Sequence, residues 1–470
     1  MADPNGVAVA PDDPWKEENP TWVILDGEDN PWRLNGFSVK RGRSSEFDRT
    51  DTGTATLRIT DLDGTLDPTL DPSNPFINPM TQAAIRVQNP VTSEWRYLFK
   101  GFISEHFTDL YPTGNLSTCT VELVDGFGVL GSLEMVPTDP PTYGGVTPIG
   151  TEGQIYYAPT TVNPTTGQVR QRLHEALDNA EWPAAWRHLF SGNVSLQGNV
   201  YSRRDDLLAV LRDAADADFP GVANIYMSRR GTVVFHGRYA RFIPENYEAT
   251  DDDLREGPAG TGGRIRFWQV GGRAEAEDNP DVAVISNLSW RRSWLDVINN
   301  ALALPNGVPE AFAPFQMYKN AASIAQYGWR SGPSMDGLLV KHGNTPPGRS
   351  PVEETYLYGE YYVENYKQPK TRITRLEFRT RGADDDIAPA LWAFIMGVEI
   401  GDVVTVDTTH FITGGFHEDY FVESVNYEAT NVGRPDMPDI VLTLDVSPRS
   451  FYDHNPWGTT SDDEDAWVPE

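Results

Sequence analysis

Cysteine occurs once in this 470-residue chain, at Cys119, so no disulfide can form within it and no structural zinc site can rest on clustered thiolates. Packing alone must hold the fold. No run approaches the roughly 18 consecutive apolar residues that a membrane helix requires, and the opening stretch MADPNGVAVAPDDPW is acidic and Pro-rich instead of basic then apolar. A soluble chain without an export signal, not inserted in a membrane, is the expectation. Basic residues are few, 38 against 68 acidic, which leaves a net charge of −30 and a pI near 4.6. A coat bound along a polyphosphate backbone is therefore not expected, because the field of the whole chain opposes it. Absent too are a Gly-x-Ser-x-Gly elbow, a phosphate-cradling Gly-Lys-Ser/Thr loop, and a His pair at i, i+4 beside a Glu. No cofactor is expected.

What is present is a chain of turns. With 41 Gly and 36 Pro, many short strands are expected and few long helices. The length allows two to four domains. From Thr21 to about Leu133, apolar and polar residues alternate between regularly spaced turn residues, which predicts strands at Thr21–Leu25, Phe37–Arg41, Ala55–Thr60, Ala83–Val87, Trp95–Glu105 and Ser117–Asp125. Cys119 falls in the last as a small core residue. Strands so close together, without intervening helices, pair antiparallel into a barrel or sandwich.

Residues 136–168 form a Pro-, Gly- and Thr-rich stretch. Two amphipathic helices follow, one with the stripe Val169, Leu173, Ala176, Leu177 and Ala180, the other opening at Ser202 with Asp205 and Asp206 in its first turn. Asn224–Met227 and Thr232–His236 then flank a hairpin turn. After the Gly-rich segment 251–263 come strands at Ile265–Val270 and Val282–Arg291, a helix near Asn320–Tyr327, a strand at Thr371–Arg379, a helix at about Asp386–Met396, and strands at Asp402–Asp407, Tyr420–Glu428 and Asp439–Val446. Residues 1–20 and the acidic end from about Asn455 read as arms.

Asp61-Leu62-Asp63-Gly64-Thr65-Leu66, preceded by a strand, matches the first motif of haloacid-dehalogenase-like phosphatases, in which the first Asp attacks phosphorus and Mg²⁺ bridges the carboxylates. The match requires a parallel sheet with helical crossovers, and the next 70 residues promise only short strands. A calcium loop over Asp61, Asp63 and Asp67 fails on the early glycine and on Pro72 in the place of the bidentate Glu. A turn explains the segment without a ligand. Asp384-Asp385-Asp386 reads as a helix cap, and His410 and His417 lie in a Gly-rich loop. The 13 Trp and 19 Tyr leave room for a cell-wall glycan module, although strand cores account for most of them.

The remaining cluster is Lys40-Arg41-Gly42-Arg43-Ser44-Ser45-Glu46-Phe47-Asp48-Arg49. As a solvated connection it has no function; alternatively Arg41, Arg43 and Arg49, with Glu46 and Asp48, meet complementary charges on a neighbouring chain.

At this point the run Val39–Pro68, VKRGRSSEFDRTDTGTATLRITDLDGTLDP, resembles the opening of minor tail proteins from long-tailed, siphovirus-type phages of actinobacteria. Similar too are the helix and hairpin beginning DDLLAVLRDAADADF, the segment NAASIAQYGWRS, and the closing GDVVTVDTTHF, YFVESVNYEAT and DIVLTLDVSPRS. Members of that family resemble baseplate hubs. The resemblance implies a mainly β fold with α+β insertions: two β-barrel hub domains, at 21–135 and 386–453, and two smaller α+β domains at 136–250 and 251–385, with a tail at 454–470. It also implies a non-enzymatic homotrimer at the distal end of the virion tail. Its partners would be the distal tail protein, the tape measure protein and other minor tail, tip or fibre proteins, with DNA passing through without specific binding. The stretch 136–168 and the acidic tail depart from the pattern.

Overall fold

In the computed structural model, the residues described are 3–11, 13–25, 32–61, 66, 78–111, 116–134, 146–148, 154–160, 169–202, 205–249, 262–309, 316–344, 347–383, 386–409, 415–430 and 439–457. The N-terminal strands are β1 (Val7–Ala10), β2 (Val23–Ile24), β3 (Trp32–Gly42), β4 (Asp51–Asp61), β5 (Gln82–Gln88), β6 (Trp95–Tyr111) and β7 (Leu116–Val124). In β4, Ala55, Leu57 and Ile59 are buried while Thr54 and Arg58 face solvent, the period-two pattern of a sheet with one face on the core. Cys119 is buried on β7, opposite Ile59.

The strands lie in the order β3-β4-β7-β6-β5-β1-β2, each antiparallel to its neighbours. Val7–Ala10, expected within an arm, is instead a fully buried strand that pairs with β5. Flanking Pro and Asp conceal its apolar run.

Two closed barrels were expected, and here the structure corrects the sequence. Among the described residues no sheet closes into a barrel. The outer edge of β3 is taken by the strand Phe416–Thr430, in the register Gly42↔Ser424 to Gly36↔Thr430, and this joins both ends of the chain in one 14-stranded sheet. A closed first group would need that edge for itself. Phe416–Thr430 spans the junction because it is long: its first half pairs with Val403–Thr408, its second with β3, and its other side with Asp439–Pro448. Thr371–Arg379, found at the expected residues, continues outward to the edge strand Asn287–Arg292. One core lies on the inner face of this sheet, with Leu57, Phe99, Val121, Leu376, Val425 and Leu444 packed with the helix Ala388–Gly397. That helix has Ile387 at its N-cap and no side-chain cap; Asp384 and Asp385 lie outside the described residues.

A second core gathers the α/β segments. The helix Val169–Asn179 buries its expected stripe. Leu207–Asp218 is capped by Asp206, whose Oδ1 accepts from the Ala209 N–H at 2.6 Å, four residues later than the expected Ser202. Asn224–Met227 and Val233–His236 form the hairpin. The helix Pro351–Tyr366 was not foreseen. Its start carries a capping box, Ser350 with Glu353, followed by Pro351 in the first turn, and it buries Tyr358, Tyr361, Tyr362 and Tyr366.

Candidate interaction site at the junction of the two strand groups

Two irregularities create the site. The β3–β4 register shifts between Lys40 and Gly42, where Arg41 faces both Thr52 and Gly53 of β4, and that of Phe416–Thr430 with Asp439–Pro448 shifts between Val422 and Ser424, where Glu423 is the extra residue. Such bulges re-aim a side chain. Gly42, beside them, has φ of 102°, and a Cβ there would stand 2.3 Å from the Glu423 carbonyl oxygen. Only glycine fits.

Glu423, thus aimed inward, is 1% exposed. Its Oε2 accepts from Arg43 Nε at 2.7 Å, Arg241 donates to both oxygens at 2.9 and 3.0 Å, and Ser447 Oγ donates to Oε1 at 2.5 Å. Burial by itself would raise the carboxyl pKa, but Arg241 and Arg43 outweigh it and hold the group at about 2. Arg43 also donates to the carbonyls of Asp48 and Gly221, at 3.0 and 2.9 Å. Burial works against its charge, Glu423 more than compensates, and the guanidinium pKa is raised.

A parallel arrangement surrounds Arg41. It donates to Glu399 Oε1 at 2.7 Å and to the Met227 carbonyl at 3.3 Å, while Glu399 accepts from the main-chain N–H groups of Arg229 and Ile400 at 2.8 and 3.0 Å. Burial favours the neutral acid, yet Arg41 and Arg229 lower the Glu399 pKa below its usual value. Glu46 pairs with Arg372, which also reaches Asp296 at 3.5 Å; here burial prevails over Arg372 and raises the Glu46 pKa.

Arg41, Arg43 and Glu46, expected to face a neighbouring chain, each have a carboxylate or guanidinium partner within this one. Arg41 continues the buried alternation of Phe37 and Val39 along β3. Asp48 and Arg49 reach the surface, where Asp48 accepts from Ser44 Oγ at 3.2 Å and Arg49 pairs with Asp216, its side chain 55% exposed. Asp61 lies buried at the end of β4, accepting the Leu66 N–H at 2.9 Å, between β3 and β7, both antiparallel to it. That is the opposite of the parallel setting a phosphatase needs. Asp63 and Asp67 lie outside the described residues, as does His410, and no group of metal-ligating side chains occurs among the described ones. His417 faces Asp407 at 3.5 Å on the surface. An open, polar groove of about 630 Å³ runs beside Glu46, Arg372 and Asp296.

No protein-family model matches the chain, and no curated protein matches it. Among solved structures, it is similar to the tail protein from Neisseria meningitidis, at 10% identity over 95% of this chain and 98% of that one, with a TM-score of 0.48. It is also similar to the 43 kDa tail protein of prophage MuSo2 from Shewanella oneidensis, at 12% identity over 96% and 100% of the two chains and a TM-score of 0.48. The prophage tail protein gp18 from Listeria monocytogenes gives 9% identity, 93% and 94% coverage and a TM-score of 0.42.

The carboxylate half of the junction escaped the sequence reading. A single Glu within the apolar run Tyr420–Tyr427 is the signal for Glu423, because a carboxylate in a buried strand requires a cation to face it. The same logic applies to Arg238, which is fully buried on Glu354 at 2.5 Å and stacked on Trp457 at 4.1 Å.

Proposed function

We propose that this chain is a non-enzymatic structural protein of a bacteriophage virion, a homotrimeric hub at the distal end of a long tail. Three copies, each with two strand groups, would place six similar bodies around one axis, matching a sixfold tube above and a threefold tip below. The observation that carries the reading is the seam between β3 and Phe416–Thr430, braced by buried Arg–Glu pairs, which makes the two strand groups of a copy one rigid unit. An adapter of symmetry needs that rigidity. The ordered likeness of Val39–Pro68 and the later segments to minor tail proteins supports it as well.

Its partners in this reading are the distal tail protein and tape measure protein above and tip or fibre proteins below. The net charge of −30 suits a conduit, since carboxylates on a lumen repel passing DNA over a Debye length of roughly 8 Å. A particle reconstruction of intact tails tests this: three copies around the axis at the distal end are expected, and a single off-axis copy would contradict it. A second reading, a host cell-wall glycan module, draws on the exposed Trp290, Trp294 and Trp329. Saturable quenching of tryptophan fluorescence by purified cell wall would favour it.

A further inference from the structure

Asn287–Arg292 is an outermost strand of the large sheet. Among the described residues it pairs only with Thr371–Arg379, so its far side offers unpaired main-chain groups. Its residues are exposed on both faces apart from the half-buried Leu288. An edge of this kind invites another chain unless something covers it. The neighbouring surface is apolar as well: Trp290, Trp294, Leu295 and Trp329 are 44%, 51%, 65% and 61% exposed. Cations border it. Arg330 stacks on Trp294 at 3.9 Å from the ring centre, and Arg292 is exposed with no ion-pair partner among the described residues. Tryptophan and arginine together around an apolar patch are the composition of interface hot spots.

The opposite charge lies on the other strand group. Glu105 on β6 and Glu122 on β7 are direct cross-strand partners, both exposed, with no ion pair to either among the described residues. Like charges placed opposite each other on a sheet destabilise it. Beside them is Met80, 38% exposed, whose N–H donates to the Ile103 carbonyl on β6. An apolar spot with two repelling carboxylates matches an apolar edge with two cations.

We propose that the Asn287–Arg292 edge receives a second copy of the chain, with Arg292 and Arg330 of one copy meeting Glu105 and Glu122 of the next. Each copy carries both surfaces, one on each strand group. The contact is therefore head-to-tail, and it closes into a ring when the rotation between copies permits. This inference rests on the trimeric reading above and gives it an interface.

Sedimentation of the purified full chain tests it with surface charge reversals. Arg292→Glu with Arg330→Glu, or Glu105→Arg with Glu122→Arg, should each raise the concentration at which the assembly dissociates by at least about tenfold, with unchanged circular dichroism. The variant carrying all four reversals should return to within a few-fold of the native value. Arg292→Cys combined with Glu105→Cys should give covalently linked chains on oxidation, and neither change alone should do so. A trimer indifferent to all reversals overturns this interface and leaves the trimeric reading standing. A native chain that stays monomeric at every concentration overturns both. Saturable quenching by cell-wall glycan in a trimer insensitive to the reversals assigns the edge to carbohydrate and overturns it too.

Discussion

Arginine does two different things in the two halves of this molecule. At the junction, Arg41, Arg43 and Arg241 are buried against Glu399 and Glu423, with side chains no more than 9% exposed. At the edge, Arg292 and Arg330 lie near tryptophans in reach of solvent. Buried pairs contribute little net stability over a well-packed apolar core, since desolvation consumes most of the Coulomb gain. Their effect is on geometry, because any other packing of the seam leaves a charge unpaired. Arg292 is exposed, whereas Arg330 is half-buried and donates from Nε to the Tyr327 carbonyl at 3.3 Å; neither has an ion-pair partner among the described residues.

The largest effect should follow from removing Glu423. Glu423→Ala leaves two buried guanidinium groups facing each other and should destabilise the chain by about 3–5 kcal/mol in urea unfolding. Gly42→Ala comes next, at about 1–3 kcal/mol, from its positive φ and the contact with the Glu423 carbonyl. Asp206→Ala removes a helix cap and should cost about 1 kcal/mol. Arg49→Ala, at the surface end of the same motif, should change stability by less than about 0.5 kcal/mol. If Arg49→Ala costs as much as Glu423→Ala, the division between inner and outer charges is wrong.

Acid sharpens the same contrast. The folded-state pKa of Glu423 is about 2, below the unfolded value near 4.3, so its contribution is complete above roughly pH 4.3 and is lost as pH falls toward 2. Glu423→Gln should flatten the acid limb of a stability-versus-pH curve over that interval. An unchanged limb would mean that other carboxylates govern acid unfolding.

Much of the fold was legible. Alternation located β3 to β7 and Thr371–Arg379, and the apolar stripe located Val169–Asn179, because these elements bury one face and the period is local. The pairing of β3 with a strand some 380 positions later was not, since nothing local encodes it, and alternation cannot distinguish a closed barrel from a sheet that passes its edge onward. The helix Pro351–Tyr366 was hidden by its tyrosines, which suit strands equally well, although Ser350 and Glu353 marked its start. At the junction the arginines stood out in an acidic chain; Glu399 and Glu423 were two carboxylates among 68 acidic residues, the one in a loop before Val403–Thr408 and the other at a bulge.

The seam can be tested most directly by scanning calorimetry of the full chain, with hydrogen exchange followed in β3 and Phe416–Thr430. One cooperative transition is expected, with both strands losing protection together. Two transitions, with β3–β7 still protected after Phe416–Thr430 has opened, would show that the strand groups are separate bodies and would contradict the account.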